Sequence, residues 1–178
     1  QSYNDAVLLD TSTTLNGNNV SFASTVDSTS SETNALTVNT SGNGTTTFNG
    51  TVGGTDKLSS LTTNADGTTV INASSITTTG NQNYNDAVLI DTSTTLNGNN
   101  ISFANTVDSS SGETNALTIS TSGSGTTTFN GTVGGTDKLS SLTTNADGTT
   151  VINTSSISTT GKDRKSTRLN SSHLVISY

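Results

Sequence analysis

The chain contains no cysteine, proline, methionine or tryptophan. Without cysteine it can form neither a disulfide nor a thiolate metal site, though this leaves the cellular compartment open. Aromatic residues make up 4% of the sequence and charged residues 11%. No apolar run approaches the length that spans a bilayer, so no membrane insertion is expected of this stretch. No leader is legible at Gln1, which already lies inside a repeat, and the sequence reads as a piece of something longer. Only 27% of the residues are hydrophobic, a composition that by itself points to disorder. Against that, the charge is low and the polar residues are dominated by threonine, which favours extended backbone.

What is present is a repeat. YNDAVLLDTSTTLNGNN from Tyr3 returns as YNDAVLIDTSTTLNGNN from Tyr84, and the 28 residues from Thr45 return unchanged from Thr126. The offset is 81 residues throughout, and residues 1–80 match 82–161 at 69 of 80 positions. The differences are mild, such as Leu9/Ile90, Val20/Ile101 and Asn39/Ser120, and neither repeat gains a catalytic residue type that the other lacks. The chain therefore divides into repeat one (1–81), repeat two (82–161) and a tail (162–178).

Each repeat has a finer echo. Val20, Phe22 and Val26 share a spacing with Thr46, Phe48 and Val52, and with Val70, Asn72 and Ile76. Turn signals (NGNN, SGNG, VGGTD, NADG, TTTG) separate the apolar clusters. Period two within the clusters argues for strands, and no segment carries an apolar stripe at helical spacing. The expected fold is all-β: a parallel β-helix, or β-solenoid, of about three coils per 81-residue repeat. Each coil reads as strand, turn, strand, turn, with six coils over residues 1–161. Stacking would place Phe22 over Phe48 and Val26 over Val52 over Ile76, with Asn72 pointing inward at the Phe48 level. Threonine and asparagine ladders would satisfy buried polar groups along the axis. The competing fold is two tandem immunoglobulin-like β-sandwiches. It suits the 81-residue unit length but not the scarce aromatics, the missing linker or the three-fold echo.

The tail differs in kind. Residues 1–161 hold twelve of the thirteen acidic side chains and two of the six basic ones, for a net charge of −10; residues 162–178 carry +3. The acidic part repels phosphate backbones, so nucleic acid is not an expected partner. Asp163 to His173, then two arbitrary residues (Leu174, Val175), then Ile176-Ser177-Tyr178, resemble the in-frame translation of a short-read sequencing-library adapter carrying a sample index. On that resemblance the tail is non-native read-through. His173 is then no base or metal ligand, and Arg164, Lys165 and Arg168 form no anion site. The plainer alternative is a basic C-terminal strand or cap.

With the tail set aside, no histidine, cysteine or arginine remains, so a serine nucleophile has no imidazole to activate it. Lys57 and Lys138 adjoin Asp56 and Asp137, which reads as a surface ion pair at a turn. Paired carboxylates cleave glycosides, and Asp5, Asp10, Asp27, Glu32, Asp56 and Asp66 recur as Asp86, Asp91, Asp108, Glu113, Asp137 and Asp147. Most of them flank turns and have no basic partner, which favours solvated or capping roles. Asn64–Gly67 and Asn145–Gly148 (NADG) hold a fragment of an Asp-rich calcium loop but lack its other ligands, and a simple turn explains them. Threonine runs at 45–47 and 77–79 raise ice binding, against which the uneven steps of 26, 24 and 31 residues speak. No catalytic, cofactor or metal residue is assigned.

The texture of ITTTGNQNYNDAVLID and TTTFNGTVGGTDKLSSLTTNADGTTVIN resembles the long repeats of bacterial filamentous-haemagglutinin-like and autotransporter-like surface proteins. That resemblance covers residues 1–161. It implies a right-handed parallel β-helix, export to the bacterial cell surface or medium, and a non-catalytic role as stalk or adhesin. The partners implied are host or environmental glycans or proteins, and further repeats at both ends. The alternative from another class is a fragment of a carbohydrate-active β-helix enzyme whose active site lies elsewhere in the protein.

Overall fold

Thr, Val and Ile alternate with period two in stretches of three to six residues, too short and too β-branched for helix. The computed structural model describes residues 1–161 and, beyond them, the backbone of Arg164–Lys165. Every strand pairing it shows is parallel, and the strands wind into a single three-sided solenoid.

The first face stacks Ser2–Tyr3, Val20–Phe22, Thr45–Phe48, Thr68–Ile71, Ala87–Ile90 and Val107–Ser109, and continues through Val133 and Ile157. The second runs from Val7–Leu9 and Val26–Ser28 through Val52 to Ser75–Thr77, Thr94–Gly98, Ala116–Thr121, Ser141–Thr144 and Arg164–Lys165. The third stacks seven strands, one per coil, from Thr13–Gly17 to Thr149–Ile152. The ladder crosses the boundary between the repeats without a break: Leu61–Thr63 pairs with Gln82–Tyr84, which pairs with Ile101–Phe103. Two separate sandwiches are thereby excluded.

The expected stacking is present. Phe22 pairs with Phe48, their rings 5.3 Å apart and 1° from parallel, and Val26 bridges Val52, which bridges Ile76. Tyr3 extends the first aromatic column at 5.2 Å, and Tyr84, Phe103 and Phe129 form a second. Offset-parallel rings at this distance are favourable beyond their burial. The backbone bonds to the rungs on either side, so a thin interior suffices.

Three details differ from the sequence reading. The coils have three strands rather than two, and there are seven rather than six. The reason is the corner at Ala23–Thr25: Val20 and Phe22 face inward from the first side, Val26 from the second, so one apolar unit spans two faces. Asn72 does not point inward. Phe48 pairs with Ile71, which is buried, while Asn72 is exposed and its Nδ2 donates to Asn49 Oδ1 at 3.3 Å. Burying isoleucine slips the register by one residue and turns the amide out. Nor do threonine ladders satisfy every buried hydroxyl: Thr46 Oγ1 and Thr94 Oγ1 have no hydrogen-bond partner.

From Val20–Phe22 to its equivalent Ile101–Phe103 there are eleven strand positions, counting the bridge at Val52. Eleven is not a multiple of three. Val20–Phe22 therefore lies on the first face and Ile101–Phe103 on the third; Thr13–Gly17 lies on the third and Thr94–Gly98 on the second. Each repeat is turned by one face relative to the other, after three and two-thirds coils, a rise of about 18 Å at ~4.8 Å per coil.

Candidate functional site

The coils are unequal in length, and loops absorb the difference. In the second coil the chain bulges between Ser28 and Leu36, where Asn34 N and Nδ2 donate to Ser28 Oγ at 2.9 and 3.2 Å. In the third, the Gly53–Ser60 loop closes over Asp27, whose Oδ1 accepts from Thr55 N at 2.9 Å and Asp56 N at 3.4 Å. Repeat two copies both devices, with Ser109 Oγ accepting from Asn115 N at 3.0 Å and Asp108 Oδ1 from Thr136 N at 3.1 Å. Asp27 and Asp108 are nearly buried and act as loop caps.

The other acids are scattered. Asp5, Asp10, Glu32, Asp66, Glu113 and Asp147 are exposed, and Asp56, Asp91 and Asp137 half-buried. Asp10 Oδ1 accepts from Thr29 Oγ1 at 3.1 Å, and Glu32 Oε2 from Asn34 Nδ2 at 3.0 Å. No three of these acids come together in a group that suits a metal ion among the described residues. In the NADG turn, Asn64 Oδ1 accepts from Thr40 N at 2.8 Å and Asn64 Nδ2 donates to Thr40 O at 2.7 Å, so its amide ties two coils together. Lys57 and Lys138 are exposed. No ion pair joins them to Asp56 and Asp137 among the described residues; separately, the backbone carbonyls of Asp56 and Asp137 accept from Ser28 N and Ser109 N, each at 3.0 Å, and hold the turns. The cations of the tail and His173 lie outside the described side chains.

One carboxylate is different. Asp86 sits at the corner between the third and first faces and is fully buried, whereas its equivalent Asp5 is exposed on the end coil. Asp86 Oδ1 accepts from Thr63 Oγ1 and Thr69 Oγ1, each at 2.9 Å. Burial pushes its pKa above the usual carboxylate range, and the two threonine bonds only partly oppose this. Beside it, Tyr84 Oη donates to Gln82 Oε1 at 2.9 Å, and Gln82 Nε2 donates to Asn97 O at 2.8 Å. Burial, then the nearby Asp86 charge, raises the Tyr84 pKa as well. The sequence reading grouped Asp86 with the solvated acids. The available signal was Gln82, Tyr84, Asp86 and Val88 recurring with period two ahead of a strand.

The outward columns are small and mostly polar. On the third face Thr14, Thr37, Thr62, Asn83, Ser102, Thr128 and Val151 lie in register; on the second, Ser75, Thr95, Thr118 and Thr143. Uneven coil lengths do not disturb these columns, because the loops take up the slack. Asn39 Nδ2 donates to Asn16 Oδ1 at 3.0 Å, Asn100 Nδ2 to Asn81 Oδ1 at 3.0 Å and Asn153 Nδ2 to Asn130 Oδ1 at 2.9 Å.

No protein-family model, curated protein or solved structure matches this chain. The buried Asp86, Tyr84 and Gln82 bond to the protein's own groups and face no solvent. The outward columns offer regularly spaced hydroxyls and amides along a rod.

Proposed function

We propose that residues 1–161 are a non-catalytic segment of a large, exported bacterial surface protein, serving as a stalk with an adhesive polar flank. The observation that supports this reading most is the unbroken parallel ladder through both repeats. Each added repeat lengthens one rod and creates no new globule, which is the mechanical property a spacer needs. The outward Thr, Ser and Asn columns suit weak, multivalent contact with hydroxyl-rich glycans or with peptide edges. We take the tail, residues 162–178, as adapter read-through outside the functional unit; codons for 163–173 that differ from the adapter would overturn that.

Two experiments test the reading. Small-angle scattering of chains with two, four and six repeats should give a maximum dimension that grows by about 18 Å per repeat at constant cross-section; growth in radius instead would remove the stalk. Incubation with a glycan panel should show retention by long chains and no shortened products. Turnover that Asp27→Asn, Asp86→Asn or Asp108→Asn abolishes would make the segment an enzyme.

A further inference from the structure

The threonine runs raise ice binding in the sequence, and the uneven steps between units speak against it. In three dimensions different residues carry the question. Thr47 faces outward from the first side, but its column continues through Val70 and Leu89 to Asp108. On the third face the middle outward column runs Thr14, Thr37, Thr62, Asn83, Ser102 and Thr128 before it reaches Val151. The steps along it are 23, 25, 21, 19 and 26 residues, yet each step is one coil, because strand pairs directly with strand. The rhythm is irregular along the chain and even in space, at about 4.8 Å per coil.

Three properties set this face apart. The first is charge. Residues 1–161 carry twelve acids and two lysines, and none of them stands in the outward columns of the third face. The second is bonding. Among the described residues, the six polar side chains of the middle column have no hydrogen-bond partner within the protein. The third is rigidity. On the flanks, Asn39 Nδ2 donates to Asn16 Oδ1, Asn100 Nδ2 to Asn81 Oδ1 and Asn153 Nδ2 to Asn130 Oδ1. Asn64 Nδ2 and Asn85 Nδ2 donate to the carbonyls of Thr40 and Thr63, at 2.7 and 2.8 Å. These bonds brace coil against coil, and β-branched threonine has few χ1 choices, so the hydroxyls between the flanks are held in place.

A surface hydroxyl without a protein partner takes water. Rows of such hydroxyls hold rows of water, about 4.8 Å apart along the axis and ~6.6 Å apart between alternate residues of one strand, as at Ser60 and Thr62 or Thr126 and Thr128. These distances are close to the oxygen repeats on the prism face of ice. The threonine methyls offer water no bond, so the water above them bonds to other water. A charged group would draw water into a shell of its own and interrupt that order, and this face has none. Because the array is already rigid, adsorption costs it little conformational entropy.

We propose that the third face binds ice: the column from Thr14 to Thr128, between its asparagine-braced flanks, matches a lattice of water oxygens and adsorbs to it. Five coil steps of ~4.8 Å make the matched strip about 24 Å long. Each hydroxyl holds weakly, and the linked row holds much more strongly than any one of them.

The test is ice-affinity partition of the full chain, in which a slowly advancing ice front takes up binders and rejects other solutes, together with inhibition of ice recrystallisation between about 1 µM and about 1 mM. Wild type should enter the ice and suppress recrystallisation. Thr62→Lys, in the middle of the column, should lower uptake about tenfold or more. Ser102→Lys, two coils away, should do the same and keeps the test decisive where one variant fails to fold. Thr47→Lys adds the same charge to the first face and should leave uptake unchanged. Circular dichroism matching wild type excludes unfolding. Rejection of wild type by ice, uptake of Thr62→Lys and Ser102→Lys equal to wild type, or an equal loss in Thr47→Lys would each overturn the inference. Retention on glycans combined with rejection by ice would overturn it too, and would leave the adhesive reading standing.

Discussion

Phe103 is the ring on which the second aromatic column turns. It is fully buried, 5.2 Å from Tyr84 on one side and 5.2 Å from Phe129 on the other, tilted 11° and 2° to them. Replacing it with alanine removes a buried phenylalanine, which costs about 3–5 kcal/mol where the surroundings do not collapse. Collapse is resisted here, because the ladder pins the coil spacing from both sides. Two ring–ring contacts disappear as well, each worth ~0.5–1.5 kcal/mol. The expected loss is about 4 kcal/mol, a large share of the ~5–15 kcal/mol that holds a domain folded. Because coils couple only to their neighbours, the lesion should also split the transition, the coils beyond Phe103 melting before those ahead of it. Urea unfolding followed by far-ultraviolet circular dichroism measures both. Ser102→Ala, one residue away on the outward side of the same strand, serves as the control and should stay within ~0.5 kcal/mol. A Phe103→Ala loss below about 1 kcal/mol, or one no larger than that of Ser102→Ala, would refute the claim that stacked inward columns hold the rod together.

Other substitutions probe separate parts of the same physics. Asp86 has a raised pKa, so it favours the folded state most when protonated; wild-type stability should fall as pH rises from the ordinary aspartate range through the raised value, and Asp86→Asn should flatten that stretch in a series of denaturation curves. Thr46 Oγ1 is buried without a partner, so Thr46→Val should raise the urea midpoint by the equivalent of about 1 kcal/mol. Thr69→Val, which removes a donor to Asp86, should lower that midpoint. Gly53 has φ +63°, and a Cβ there would collide with the Thr77 carbonyl oxygen, so Gly53→Ala should cost more than ~1 kcal/mol in the same assay.

The parts of this fold legible from sequence are those where side-chain identity reports direction. Phe22 over Phe48 and Val26 over Val52 over Ile76 were readable because aromatic and branched apolar residues have one reason to recur at a fixed spacing. The corners were not. Ala23–Thr25 bends the chain from one face to the next with neither glycine nor proline to mark it, which is why a three-sided coil read as a two-sided one. Threonine was the other blind spot. Thr46 and Thr69 face inward and Thr47 outward, yet in sequence they are indistinguishable. The same ambiguity allowed the slip that placed Asn72 inside, and it hid the pocket of Thr63, Thr69 and Asp86, whose donors come from coils 17 and 23 residues back. The Asp56–Lys57 pair is adjacent in sequence, but adjacency alone does not bring two side chains together: Lys57 is exposed while Asp56 is half-buried.

The mismatch between eleven strand positions and three sides has a mechanical consequence. In a long run of such units, any stiff or soft patch of the motif recurs on successive flanks like the thread of a screw, and returns to the same flank only after three units, about 53 Å along. A fibre built this way has no weak plane. It resists bending equally in every direction, and it touches a flat substrate with the same average chemistry however it happens to roll.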